Sequence, residues 1–192
     1  MNLRVVIADD EPITRMDLSE IFREAGYKVV GEASDGFDAV ELCRKLNPDL
    51  VLMDVKMPLL DGLKASKIIV HEELATSVVL LTAYSGQEFV ERAKEAGVMG
   101  YLVKPVDEKY LMPAVEVAVC KGQEIKKMKS TLEHIKEQLE TRKVVEKAKG
   151  ILMVKYNMKE EEAYNEIRKI SMNKRCPMKQ IATAIIINDH LG

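Results

Sequence analysis

Four apolar, β-branched-rich runs in this chain each end on a reactive side chain. VVIADD delivers Asp9 and Asp10, LVLMDV delivers Asp54, VVLLTA delivers Thr82, and YLVKP delivers Lys104. A short continuous apolar run that closes on a polar residue is the pattern of a strand buried on both faces, whose carboxyl end opens into a site. Candidate strands cover 4–8, 29–33, 50–54, 78–82 and 100–103. Helical patterns such as 14–24 (Ile13, Met16, Leu18, Ile21 and Phe22 as apolar positions) and 36–46 lie between them, bounded by Gly26, Pro48, Gly62, Gly97 and Gly100. Strands alternating with helices predict an open parallel sheet covered on both faces, with ligands at its carboxyl edge.

Three acids, a hydroxyl and an ammonium at that edge suit a divalent cation and a phosphoryl group. Mg²⁺ prefers hard oxygen ligands and keeps several waters, so one or two carboxylates and a backbone carbonyl suffice. Asp10 and Asp54 are the candidate direct ligands, with Asp9 alongside and the carbonyl of Lys56 as the backbone donor. The cation would also offset the repulsion within the acid cluster. An Asp oxygen can accept a phosphoryl group, and Asp54 is the natural acceptor. Phosphoryl transfer needs positioning and charge neutralisation; Lys104 and Thr82 would each meet a phosphoryl oxygen. Taken singly, a strand-end Asp usually caps the next helix and a lone Lys is usually solvated; the ordered set argues for chemistry.

The chain has 192 residues and a net charge of −2 that conceals a division. Residues 1–120 carry 13 Lys+Arg against 21 Asp+Glu, or −8; residues 121–192 carry 16 against 10, or +6; the two sum to −2. An acidic body joined to a basic module points to an anionic partner for the latter, although two differently solvated surfaces would give the same count. Cys43, Cys120 and Cys176 are odd in number and widely spaced, which fits reduced thiols in a cytoplasm. No apolar run approaches the roughly 20 residues of a membrane span, and the N-terminus leads directly into a strand-like run, so neither insertion nor secretion is expected.

After Pro113 the signals change. Ile125, Met128, Leu132, Ile135 and Leu139 recur in an a/d register until Arg142 takes the next expected place. This fits a short coiled coil, or equally an ordinary helix buried against its own module. The stripe then broadens through Val144, Val145, Ala148, Ile151 and Leu152, and helices are expected at 159–171, behind the acidic turn Glu160–Glu161–Glu162, and at 178–189. Basic side chains recur throughout, including Lys143, Lys147, Lys149, Arg168, Lys169, Lys174, Arg175 and Lys179, a pattern that fits nucleic acid. A helix-turn-helix is open on pattern, but the connection read as 172–177 is longer than the usual turn of about 3–4 residues.

Residues 3–120 resemble the receiver domain of two-component response regulators, through ADDEP, MDVKMP, LLTA, the KP dipeptide and Asp61-Gly62. The resemblance implies a flavodoxin-like (βα)₅ fold with a five-stranded parallel sheet. It also implies phosphoryl transfer from a sensor histidine kinase to Asp54, with no enzymatic activity beyond that transfer and slow dephosphorylation, and a cis peptide at Lys104–Pro105. Tyr101 matches the switch aromatic that turns inward as Thr82 moves; an ordinary amphipathic surface tyrosine is the alternative.

VVEKAKGILM, EEAYNEIRKISM and IATAII resemble the ANTAR domain, through Ala148, Lys149, Gly150, Met153, Ala163, Arg168 and Met172, with Ser171 standing where Ala is common. This implies a short coiled coil leading into a three-helix domain that binds paired RNA hairpins near a terminator and prevents termination. The domain order resembles that of ethanolamine-utilisation antiterminators. Ala148, Gly150 and Ala163 read as close-packing positions and Met153 and Met172 as core; Lys149, Arg168, Lys174 and Arg175 are the candidate RNA contacts. The expected division is a receiver over 1–120, a coiled-coil linker helix over 121–142 and an RNA-binding helical domain over 143–192, dimerising on phosphorylation. A DNA-binding response regulator is the alternative function. A phosphatase is more distant, because a DxD nucleophile motif is absent.

Overall fold

The computed structural model describes residues 3–83 and 86–190, so the last two residues of the expected 143–192 domain lie outside the described residues. The chain forms two compact units, residues 1–127 and 128–192.

In the first unit five strands, β1 (Arg4–Ala8), β2 (Lys28–Ala33), β3 (Leu50–Asp54), β4 (Ser77–Thr82) and β5 (Gly100–Val103), form one sheet in the order β2-β1-β3-β4-β5. Every pairing is parallel. β3 and β4 are buried at every residue, which is why their sequences run apolar without alternation. Side chains nevertheless alternate between two cores. Val6, Ala8, Val51, Met53, Val78 and Leu80 face α2 (Gly36–Leu46), α3 (Gly62–His71) and α4 (Gln87–Ala96). Val5, Ile7, Leu50, Leu52, Val79 and Leu81 face α1 (Pro12–Glu24) and the start of α5 (Glu108–Tyr156). This is the flavodoxin-like architecture expected from the sequence. Its strand order reverses direction between β1 and β3, where open α/β sheets place their ligands.

α1 departs from the expected apolar stripe. Leu18 and Phe22 are buried, but Ile13 is 73% exposed and Met16 is exposed too. At about 100° per residue both lie roughly 140–160° around the helix from Leu18, so spacing and not hydrophobicity decides which side chains enter the core.

α5 is continuous over 49 residues and contains Pro113. A proline in the second turn removes one helical hydrogen bond and costs about 3 kcal/mol. Leu111, Val115 and Val119, all buried, each return about 1.5–3 kcal/mol, so the helix persists. Buried Gly122 continues that face: a Cβ there would stand 2.0 Å from Ser77 Oγ and 2.5 Å from the Thr76 carbonyl oxygen. Glycine therefore holds α5 against the start of β4, where Ser77 Oγ also donates to the Ala118 carbonyl (3.0 Å). The boundaries expected at 120 and 142 both fall inside this one helix.

In the second unit Val145, Ala148 and Leu152 of α5 pack with Ala163 and Ile167 of α6 (Glu160–Lys174) and Ile181 and Ala182 of α7 (Met178–His190). The three-helix arrangement follows from stripes at spacings of 3 and 4. Glu162 accepts from the Lys159 N–H (2.8 Å) at the start of α6, and Arg175 ends it with a left-handed φ of 51°. Two small-residue expectations hold: Ala148 and Ala163 are fully buried. Gly150 does not close-pack, since a Cβ there meets nothing within 4 Å. Met172 is 68% exposed and Met153 is also at the surface, contrary to the core reading of both. α6 and α7 are joined by three residues, 175–177, so the connection is as tight as a helix-turn-helix requires.

Candidate functional site

Asp9 follows β1 and Asp54 ends β3, so the reversal between these strands brings their carboxylates together, with exposed Asp10 beside them. One oxygen from each of Asp9, Asp10 and Asp54 fits within 4.8 Å of the others. Such a cluster of hard oxygens could hold a metal ion. Lys56 lies on the exposed loop two residues beyond Asp54. Lys104 reaches in after β5, where its Nζ donates to Asp9 Oδ2 (2.8 Å) and stands 3.2 Å from Asp54 Oδ2. Thr82 ends β4, is fully buried, and accepts at its carbonyl from the Lys104 N–H (2.8 Å). The peptide between Lys104 and Pro105 is cis.

Burial is the largest influence on Asp54 and pushes its carboxyl above the ordinary range; Lys104 opposes this and Asp9 adds to it. Burial also works against the Lys104 ammonium, but the hydrogen bond to Asp9 and the charge of Asp54 outweigh it and raise the lysine on balance. The site thus holds a desolvated carboxylate against a firmly protonated amine. Sequence reasoning missed Arg15, whose guanidinium donates to the Asp9 carbonyl and stands 3.8 Å from Glu32. It fixes the peptide joining Asp9 and Asp10; its position one turn into α1 is the only signal of this in the sequence.

Tyr101 lies on β5 in register with Leu80, is 37% exposed, and meets Phe89 of α4 edge-on at 5.8 Å between ring centres. The ring is therefore outward and supported from one side.

In the second unit the expected contacts separate. Arg168, Lys174 and Arg175 are exposed and make no ion pair among the described residues. Lys149 does not belong with them. Its side chain is only 8% exposed and bridges Glu146 (2.9 Å) and Glu160 (2.7 Å), tying α5 to the first turn of α6. Hydrogen bonds to Glu160 and then Glu146 raise the lysine further. That pairing makes it a brace between the two helices.

A doubly wound sheet that gathers three aspartates, a lysine and a threonine at one edge, followed by a basic three-helix unit, defines a response regulator. Residues 5–116 match the response regulator receiver domain and residues 133–186 match the ANTAR domain. The chain is 48% identical over 183 residues to the transcriptional regulatory protein PdtaR of Mycobacterium tuberculosis, covering 95% of this chain and 89% of that one. It resembles the receiver domain of the response regulator NarL from M. tuberculosis with a TM-score of 0.58 and 31% identity, over 62% of this chain and 96% of that one. It also resembles the CheX–CheY–BeF₃–Mg complex of Borrelia burgdorferi with a TM-score of 0.55 and 28% identity, over 59% and 86% respectively. The chain belongs to the response regulator family and carries an N-terminal receiver domain and a C-terminal ANTAR domain. Among the described residues no helix is long and apolar enough to cross a membrane.

Proposed function

We propose that the chain is a cytoplasmic two-component response regulator, phosphorylated on Asp54 by a sensor histidine kinase, that dimerises and binds paired RNA hairpins to prevent transcription termination. The observation that carries the reading is the buried Asp54 carboxylate within 3.2 Å of Lys104 in a chain that also holds an ANTAR domain. In the transfer an Asp54 oxygen forms a bond to phosphorus as the kinase's phosphohistidine P–N bond breaks. Asp9, Asp10, Asp54 and the Lys56 carbonyl would hold Mg²⁺, which neutralises charge on the phosphoryl oxygens; the related complex solved with BeF₃ and Mg supports this choice of cation. Lys104 neutralises a further oxygen and the Thr82 hydroxyl bonds another. Beyond this transfer and slow dephosphorylation of Asp54, the reading assigns the chain no catalysis.

The movement of Thr82 is what couples the site to Tyr101. With Thr82 drawn toward a phosphoryl oxygen, space opens at the end of β4 and the ring of Tyr101, one strand away, can turn inward. The repacked edge favours a partner receiver, and the half-exposed seam of Ile125, Met128, Leu132, Ile135 and Leu139 offers a second contact between two chains. Thr82→Ala is therefore expected to accept phosphate and yet fail to shift from monomer to dimer in sedimentation. Dimerisation equal to wild type would remove Thr82 from the switch.

RNA binding should reside in the +6 segment and be steeply salt-dependent. Every phosphate that the protein ceases to neutralise lowers the slope of log affinity against log salt by roughly 0.7 to 0.9. Arg168→Ala is expected to weaken binding and flatten the slope by about that amount, with the helix intact because Ala is the better helix former. An unchanged salt series would displace Arg168 from the contact face. The tight α6–α7 turn favours one competing reading, a helix-turn-helix that binds duplex DNA. Terminator-proximal hairpin RNA and promoter duplex, compared at one salt concentration with and without phosphorylation of the chain, separate the two; tighter binding to the duplex would establish the DNA reading instead.

A further inference from the structure

Of the three acids at the receiver site, Asp9 and Asp54 are fixed by burial. Asp10 is exposed, in the bend between β1 and α1, so packing does not set the direction of its carboxylate. The peptide that joins it to Asp9 does. That stretch of backbone is held by β2, the neighbouring edge strand, which supplies no ligand. On one side of Asp9 the N–H donates to the Ala33 carbonyl (3.1 Å). On the other, the Asp9 carbonyl, which belongs to the peptide leading to Asp10, accepts from the Arg15 guanidinium.

Arg15 is engaged on two sides. Its Nη1 donates to the Asp9 carbonyl, while its Nε faces Glu32 Oε2 at 3.8 Å. Glu32 lies on β2 in register with Ile7 and immediately precedes Ala33. Its other oxygen accepts from the hydroxyl of fully buried Ser19 (2.9 Å) and from Arg23 (3.2 Å), so the carboxylate is itself anchored to α1. A partly exposed ion pair of this length contributes little to stability. Its geometric effect is greater. A guanidinium carries its donors in one rigid plane, so holding Nε also sets where Nη1 points. Charge acts in the same direction. An arginine without Glu32 would oppose a divalent cation bound beside it, and would be free to turn onto the carboxylates of Asp9 and Asp10 in the cation's place. Glu32 offsets that charge and draws the guanidinium toward β2.

We infer that Glu32 is a positioning residue for the divalent-cation site: through Arg15 it holds the Asp9–Asp10 peptide in the orientation that aims Asp10 at the cation, and it keeps the arginine off the carboxylates. The inference rests on the Mg²⁺ site proposed above and adds to it one residue of β2 and one of α1 that are neither ligands nor phosphoryl acceptors. Groups that orient a metal ligand from behind govern affinity by roughly 10–100-fold. If Glu32 served only to tie α1 to β2, its loss would lower the melting temperature and leave cation affinity where it was.

The test is Mg²⁺ binding to the unphosphorylated full-length chain, followed by calorimetric titration with magnesium chloride at one fixed ionic strength, so that no turnover enters the readout. Glu32→Gln is expected to weaken binding by about tenfold, the lower end for such groups. Arg15→Lys keeps the charge but loses the fork that reaches Asp9 and Glu32 together, and should weaken binding comparably. A double-mutant cycle separates action through Arg15 from any other effect of Glu32. Once Arg15 is already Gln, adding Glu32→Gln should cost less than about twofold, within the range of additive error. Arg23→Gln removes the other ion pair of Glu32 and should leave Mg²⁺ affinity unchanged, while thermal melting by circular dichroism shows that each variant is folded. Wild-type affinity in Glu32→Gln, or an equal loss in the wild-type and Arg15→Gln backgrounds, overturns the assignment while leaving the cation site intact. Should Glu32→Gln fail to fold, wild-type affinity in Arg15→Lys overturns it instead. Failure of wild type to bind Mg²⁺ overturns the cation site itself.

Discussion

Asp54→Ala protein is expected to accept no phosphoryl group from a phosphorylated histidine kinase and to remain folded. Asp54 is the acid that combines a strand-end position, burial and direct approach to Lys104. Asp9 is already engaged by both Lys104 and the Glu11 N–H (3.0 Å), and Asp10 is exposed. Loss should be complete and not partial, because neither neighbour can take over the geometry. Phosphoprotein gel mobility or intact-mass measurement reads the result, and a wild-type yield of acid-stable, base-labile phosphate on the variant would sink the assignment. Chelation of divalent cations should abolish the reaction of wild type equally.

Stability gives a second, opposite signature for the same residue. Burial holds the folded-state pKa of Asp54 above its unfolded value, with Lys104 opposing. A raised carboxyl binds protons more tightly in the folded state, so its ionisation disfavours folding once pH passes the ordinary carboxylate range. Asp54→Asn in chelator at neutral pH should therefore melt no lower than wild type, and the difference should shrink as pH falls into that range.

The parts of this architecture that were legible in the sequence are those where one physical requirement acts alone. β3 and β4 must be apolar on both faces, so their runs and their polar terminal residues are visible without tertiary information. The receiver site follows from them, since every member stands at a strand end. The helices are harder because competing terms decide them. Pro113 reads as a break until the burial of Leu111, Val115 and Val119 is known. Ile13 and Met16 read as core until their angular distance from Leu18 is worked out. Lys149 stands among basic residues and reads like them, yet Glu160, eleven positions later, becomes its neighbour only when α6 folds back along α5. Tyr164 and Met178 are likewise brought near Arg142 only by the three-helix packing.

Gly62→Ala should destabilise the receiver strongly, although it adds only one methyl group. Gly62 opens α3 directly after the loop that follows the acceptor strand, and its N–H donates to the Val55 carbonyl (2.9 Å). A Cβ at this position would lie 1.8 Å from the Asp54 carbonyl oxygen and 2.9 Å from Met53 Cγ. The first of these is backbone in the middle of the sheet, so no rotamer change relieves it. Either α3 lifts from the sheet or the end of β3 is pushed away from Lys104. The Gly62 N–H bond to the Val55 carbonyl resists the first movement, and the Asp61 side chain, which accepts from the Lys64 N–H (2.9 Å), keeps the first turn of the helix formed. The cost should reach about 3 kcal/mol, the upper end for overpacking, and lower the receiver's melting temperature by roughly 10 °C for a unit of this size. Phosphorylation of the variant, measured well below that temperature, should also slow by more than about tenfold, since a displacement near 1 Å at the acceptor is enough to cost that much. Gly150→Ala is the control: its Cβ meets nothing within 4 Å, and helix propensity alone should make that variant more stable by about 1 kcal/mol. Equal melting temperatures for Gly62→Ala and wild type would mean that α3 does not sit against the Asp54 backbone.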